Sequence, residues 1–343
     1  MDWIAKPLNR LNEKEKNLYA QLIKNFSNTN IPLSQTLSWG IAIVASGGEV
    51  LVIFKEDLSC GGIAFSTRVG EWECVNGPLI NWHVKNENEN EKKKLIANIS
   101  TFILAISKVA SNFRSFYFRP RLEEDWGINI EKVIPFPIDN YEYTATTFIP
   151  SEWSIMNLRS SLRRSVRRMQ QEDHKINIVK IGEHIEDYRC NLIEDFYPKL
   201  YTHALKKNFY LPSIEWFKGL LREREEAVEF YLGTIEHKDK SSYAEAGILV
   251  VKIHQIAYYL FGYSWREGMA IRNLNFTSLL HLKMIESLNS QSNKIKFYDL
   301  NGYVCDPKII TKSQYAGVNF FKEGLNGKIK KYITPCYRFI TNL

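Results

Sequence analysis

The sequence predicts an α/β chain of two units with similar layout, each a sheet flanked by helices. Three observations carry that expectation. At 343 residues the chain exceeds one average domain and has room for two of roughly 150 residues each. Hydrophobic residues make up 45% and charged residues 24%, enough apolar side chains to fill two cores. Finally, one order of elements is legible twice: helices, a three-strand meander, a helix, a strand and a helix.

The first copy opens with Leu18, Tyr19, Leu22, Ile23 and Phe26 at helical spacing, followed by a polar turn at Asn28-Thr29-Asn30. Short β-rich runs at Glu49–Lys55, Gly61–Thr67 and Glu71–Val75 are separated by glycine pairs and polar turns. A charged loop, Asn86 to Lys94, leads into a helix over Leu95–Ala110, and Ser115–Arg119 and Glu142–Phe148 read as strands. The second copy has a strand at Lys175–Ile181, helices near Glu186–Leu205 and Pro212–Arg224, and strands at Val228–Ile235, Ala244–Ile253 and Gln255–Trp265. A helix near Asn275–Leu288, a strand at Ile295–Leu300, a helix near Lys312–Glu323 and a last strand near Lys330–Phe339 close it.

Composition narrows the function classes. The 18 Gly and 11 Pro exclude collagen-like or linker-like character. The five cysteines (Cys60, Cys74, Cys190, Cys305, Cys336) include no CxxC pair, so neither a disulfide framework nor a cysteine-rich zinc site is indicated. Leu95–Ala110, the most apolar helical stretch, is interrupted by Asn98, Ser100, Thr101, Ser107 and Lys108, too short and polar to span a bilayer. A cytoplasmic, reducing location is expected. The formal charge of +7 permits an anionic partner without requiring one.

The most unusual local feature is Leu158 to Met169. Arg159, Arg163 and Arg167 fall at i, i+4, i+8 on one helix face, Arg164 and Arg168 form an adjacent row, and Leu158, Leu162, Val166 and Met169 supply an apolar stripe. Like charges at this spacing repel by about 0.2–0.5 kcal/mol per pair. One reading is a solvated face whose arginines pair with acids elsewhere in the fold. The other is a phosphate-contacting face, because guanidinium forks match phosphate oxygens.

In the last third, Tyr298-Asp299-Leu300-Asn301-Gly302, followed by Tyr315-Ala316-Gly317-Val318-Asn319-Phe320-Phe321-Lys322-Glu323-Gly324-Leu325-Asn326-Gly327, resembles the "YDLGG … G … FKxGFGG" signature of the Fem family. Those are non-ribosomal peptidyltransferases that attach amino acids from aminoacyl-tRNA to peptidoglycan precursors. Gln35…Trp39-Gly40 is similar to the family's "Q…WG" entry, Asn76-Gly77-Pro78 to its "GP" turn, Thr147–Arg168 to its strand and "L…R..IR.A", and Ala244–Ser264 to its paired strands.

The resemblance implies two tandem GNAT-like domains without the coiled-coil arm of some members. The first would be 1–148, joined by a returning segment 328–343, and the second 149–327. The implied activity is aminoacyl transfer from aminoacyl-tRNA to an amine acceptor, a cell-wall precursor or a small peptide or natural-product precursor, forming an amide. An ester donor is already activated, so neither cofactor nor metal is expected. Lys322 would face the oxyanion and Phe321 would wall the site or stack on the terminal adenine, the rival for Lys322 being a solvated lysine at a helix end.

Tyr259 and Tyr263, with Phe261 between, share one strand face by alternation and are candidates to orient the acceptor, against the rival of buried core tyrosines. Asp299 either accepts from the incoming ammonium or caps the following turn. Acceptor contacts are assigned to Lys206, Tyr298 and Trp39, and tRNA contacts to Arg159, Arg163, Arg164, Arg167 and Arg168. His174, His203, His254 and His281 have no paired acid at motif spacing and read as structural. Three departures from the family stand out: Ile41-Ala42-Ile43-Val44 supplies no basic residue after Gly40, Lys206 replaces an arginine, and Leu325-Asn326-Gly327 replaces "FGG". The alternative function is an acyl-CoA-dependent N-acyltransferase of the GNAT type. Its pyrophosphate loop would fall at Arg272-Asn273-Leu274-Asn275-Phe276-Thr277, which has no glycine.

Overall fold

The computed structural model describes residues 3–26, 32–80, 89–110, 113–120, 141–150, 152–171, 174–181, 186–222, 228–238, 243–267, 276–290, 294–305, 313–333 and 337–340. The expected turn at Asn28–Asn30 and the loop residues Arg272–Asn275 lie outside them. The chain divides into one unit of Met1–Glu142, Glu215–Ala227 and Lys331–Leu343 and another of Tyr143–Ile214 and Val228–Lys330. Both are mixed α/β.

In the first unit, strands β1 (Trp3–Pro7), β2 (Val50–Lys55), β3 (Gly61–Arg68), β4 (Glu71–Val75) and β5 (Ser115–Arg119) form a sheet that ends on the late strand β13 (Tyr337–Ile340). Pairing is antiparallel except between β4 and β5. Helix α1 (Glu13–Asn25) starts with a capping box: the Asn12 side chain accepts from Glu15 N and the Glu15 side chain from Asn12 N. Helix α2 (Leu37–Ala45) is capped by Thr36. Helix α3 (Glu89–Ser107) begins six residues before the expected Leu95.

The second unit holds most of β6 (Tyr141–Phe148), α4 (Ser160–Met169), β7 (Lys175–Ile181), α5 (Glu186–Lys207), β8 (Val228–Lys238), β9 (Tyr243–Ile253), β10 (Ile256–Glu267), α7 (Phe276–Asn289), β11 (Phe297–Asp299), α8 (Ser313–Gly324) and the first half of β12 (Lys328–Ile333), α6 (Ile214–Leu220) lying in the first but for Ile214. Sheet order is β12-β6-β11-β10-β9-β8-β7. Strands β10 and β11 run parallel, with Ile256, Ala257 and Tyr258 opposite Phe297, Tyr298 and Asp299. Helix α7 is buried on most of its surface and packs among Tyr231, Ile248 and Val250.

Three boundaries differ from expectation. Thr146–Phe148 pair with β11 and therefore lie in the second unit, not the first. Segment Glu215–Ala227 groups with the first unit, where a Cβ on Gly219 would stand 2.6 Å from Ala45 Cβ. The single strand expected near the C-terminus is two, β12 and β13, in different sheets. No described helix is long and apolar enough to cross a membrane.

Candidate active site

Strand β11 stops at Asp299 while its parallel partner β10 runs on to Glu267, so the two part beyond Tyr258. Two features hold this opening. Register slips between Tyr259 and Phe261, a bulge that frees backbone at the mouth. Asn301 Nδ2 donates to the Tyr259 carbonyl, tying the bulge to the loop after β11. That loop turns through Asn301 (φ 53) and Gly302 (φ 26), left-handed positions that Asn and Gly tolerate. Asp299, 1% exposed, accepts from Asn301 N at 2.8 Å, so its carboxylate caps the turn.

Helix α8 is sewn to the same loop. Asn319 Nδ2 donates to the Val304 carbonyl at 2.7 Å, and Lys322, one turn on, donates to the carbonyls of Asn301 and Gly302. The helix ends on Asn326 with φ 62, and Gly327 N donates to the Lys322 carbonyl. Asn326 thus takes the left-handed position that ends helices, which accounts for Asn where "FGG" has its first glycine.

Lys322 is 5% exposed. Burial pushes its pKa down to about 8, against the opposing pull of Asp299. An ammonium has three donors; two are taken by the loop carbonyls, and among the described residues no acceptor takes the third. Beside it lies His281 of α7, fully buried, a residue that spacing alone read as structural. Its Nδ1 lies 2.7 Å from the Tyr298 hydroxyl, and its Nε2 has no partner among the described residues. Burial, then the Lys322 cation, pushes the imidazole pKa down to about 3, so the ring is neutral and a poor base. Its ring centroid stands 4.7 Å from Tyr259 and 5.1 Å from Phe321. Burial raises the hydroxyl pKa of Tyr259 to about 12 and holds that of Tyr298 well above its ordinary value. Lys322, Phe321, Tyr259, Tyr298 and Asp299 therefore converge, with His281 at their centre. No motif signals His281; only the apolar face of α7 places it.

Tyr263 does not join them. The bulge breaks period-2 alternation, so Tyr259 lies opposite Val250 whereas Phe261 and Tyr263 lie opposite Leu249 and Gly247, on the other face. This corrects the expectation of one shared face. Gly262 stays on the Tyr259 face, where a Cβ would meet the Tyr259 hydroxyl at 2.5 Å. The Tyr263 hydroxyl donates to Glu245 Oε1 at 2.8 Å, and its ring packs 5.4 Å from Phe196 of α5. Burial opposes ionisation of Glu245, but donors from Lys199, Tyr243 and Tyr263 outweigh it and lower the pKa. These groups line an open cleft of about 350 Å³ between α5 and the sheet. Lys206 is exposed at its rim, its ammonium 3.4 Å from the Trp265 ring centroid. Trp39, in the first unit, packs edge-on to Trp216 at 5.1 Å.

In α4, Leu162, Val166 and Met169 are buried, Arg164, Arg167 and Arg168 are exposed and Arg163 is half-buried, while Arg159 stands at the N-cap. Arg159 pairs with Glu323 at 3.7 Å. Among the described residues no carboxylate pairs with Arg163, Arg164, Arg167 or Arg168. Nor does any group of three or more His, Cys, Asp or Glu there have the arrangement to hold a metal ion.

No protein-family model and no curated protein matches the sequence. Among solved structures, that of FemX superposes with a TM-score of 0.70 at 13% identity, covering 100% of this chain and 98% of that one. The C-terminal domain of a putative lysylphosphatidylglycerol synthetase from Agrobacterium fabrum gives 0.48 at 10% identity, covering 93% of this chain and 92% of that one. The L-PGS of Bacillus licheniformis gives 0.49 at 9%, covering 92% and 90%. The chain thus has the fold of FemX, two α/β units built on mixed sheets, with its buried lysine where one sheet of the second unit opens.

Proposed function

We propose that this chain is an aminoacyltransferase that moves an amino acid from the 3′ end of aminoacyl-tRNA to an amine acceptor. The observation that carries the reading is Lys322: a buried ammonium, anchored by two carbonyls, with its third donor uncommitted at the mouth between β10 and β11. The likeness of its flanking sequence to the Fem signature and the FemX fold support the same reading.

The acceptor nitrogen attacks the ester carbonyl, a C–N bond forms, the bond to the ribose oxygen breaks, and the proton lost by the amine ends on that oxygen. Lys322 stabilises the oxyanion of the tetrahedral intermediate, a contribution of about 3–4 kcal/mol for one good donor. The neutral His281 ring and the Tyr259 and Phe321 rings exclude water and strengthen that interaction. None of these rings serves as base near neutral pH, so the amine must arrive uncharged. Holding two large substrates in register supplies up to about 7–11 kcal/mol. The acceptor is a peptidoglycan precursor or another peptide-like amine. A charged-tRNA donor implies a cytoplasmic location.

The test is incubation with labelled, charged total tRNA and cell extract. Label transfer that ribonuclease abolishes is the expected result. Transfer that survives ribonuclease, or that runs on acetyl-CoA alone, overturns it in favour of a coenzyme A-dependent reaction.

A further inference from the structure

We propose that Phe320 is a stacking platform for an unpaired base of the donor RNA's 3′ end, with the Arg159–Arg163–Arg167 row holding the adjoining phosphates. The inference rests on the RNA-dependent reading above and assigns it a surface. Phe320 is 61% exposed, on the opposite side of α8 from the buried Lys322. Its ring is already faced by a planar cation: Arg159 Cζ lies 3.8 Å from the centroid. Arg159 is fixed there by a hydrogen bond to the Phe320 carbonyl at 3.2 Å and by Glu323. An aromatic face and a guanidinium plane held together are the two surfaces on which splayed bases stack.

The arginine row continues from that point. Arg163 and Arg167 both donate to Met156 Sδ, at 3.4 and 3.5 Å, which gathers them beside Arg159 in steps of about 6 Å along the helix. A thioether is a weak acceptor, so both forks keep most of their donors for a stronger anion. Arg164 and Arg168 form the neighbouring row and have no such shared acceptor among the described residues. Phe321, the residue first assigned to adenine stacking, is half-buried against His281 and walls the reaction site instead. Phe320 and Lys322 lie on opposite sides of a helix about 10–12 Å across with its side chains, so an unpaired 3′ strand of several nucleotides passes around α8 to set one base on the platform and its end at the reacting position.

The test compares binding of two RNA probes to the full chain by fluorescence anisotropy: a hairpin with four unpaired 3′ nucleotides and the same hairpin with a blunt end. Phe320→Ala, at an exposed position, is expected to weaken the overhanging probe about 5- to 150-fold, the equivalent of one base–aromatic stack, and to leave the blunt probe unchanged. Phe320→Trp is expected to retain binding. Arg163→Gln with Arg167→Gln is expected to weaken both probes and reduce the salt slope by about 2, whereas Arg164→Gln with Arg168→Gln changes it less. The inference is overturned if Phe320→Ala binds both probes as the parent does, or loses both equally. If ribonuclease-sensitive transfer persists while Phe320→Ala binds normally, this assignment alone falls. If the parent binds neither probe, the RNA-dependent reading falls with it.

Discussion

Gln35 in the first unit and Lys322 in the second both belong to motifs that resemble the Fem family, and both are buried, yet their bonding is opposite in character. Gln35 is wholly buried: its Oε1 accepts from Ile63 N at 3.0 Å and its Nε2 donates to the Val75 carbonyl at 2.7 Å. It stitches the segment before α2 to β3 and β4, and a Cβ on Gly77 would collide with it at 2.6 Å. Nothing is left over for a ligand. Lys322 is tied just as firmly but retains a donor, and His281 beside it retains a whole ring nitrogen. Motif membership thus does not separate structure from chemistry; uncommitted hydrogen-bonding capacity in a dry site does.

The largest expected effect breaks the second half of that contrast. Lys322→Met keeps the aliphatic stem and removes the charge. Transfer is expected to fall about 10²- to 10³-fold while circular dichroism is unchanged; a variant with parental kcat would reduce Lys322 to a loop anchor. The pH profile tests the same group without mutation. The protonated form is the active one, so the rate should fall above about pH 8, and Lys322→Arg should lack that limb. The sign for stability is separate. With a folded pKa of about 8 against an ordinary 10.5, the native state binds fewer protons than the unfolded state between those values. Stability therefore rises with pH across that window, by about 3 kcal/mol at most, and the rise is absent in Lys322→Met.

Gln35→Ala sharpens the first half. It leaves a buried amide N–H and a buried carbonyl without partners and is expected to cost about 2–4 kcal/mol by denaturant titration. Transfer per folded molecule should not change. A loss of kcat greater than the loss of folded protein would move Gln35 into the chemistry.

Much of this was legible before any coordinates. Period-2 and period-3.6 runs located the strands and helices of both units, and the stripe of Leu162, Val166 and Met169 is buried as spacing implied. Three elements escaped for physical reasons. Trp3–Pro7 is an edge strand too short to show alternation. Leu37–Ala45 is apolar nearly all round and so presents no helical contrast. Glu89–Lys94 reads as loop because its charges hide the helix start. At the site, resemblance pointed to Lys322, Phe321 and Tyr298. His281 was invisible because its partners arrive from β10, β11 and α8, elements far apart in sequence. A bulge of one residue, which no composition signal announces, moved Tyr263 to the opposite face.

The smallest effect concerns that opposite face, where Glu245 is an intermediate case between Gln35 and Lys322. Its carboxylate accepts from Lys199, from Tyr263 at 2.8 Å and from Tyr243 at 2.7 Å. Lys199 is 48% exposed, so its ion pair is screened and contributes under about 1 kcal/mol. Lys199→Ala should therefore lower stability by no more than that, because the two tyrosine hydroxyls still satisfy the carboxylate. The carboxyl pKa should rise as one of its donors is lost, measurable by carbon NMR of labelled glutamate. A drop of several kcal/mol would mean instead that Glu245 cannot stay charged without the ammonium. The 350 Å³ cleft would then be held open by a single ion pair rather than by three converging donors.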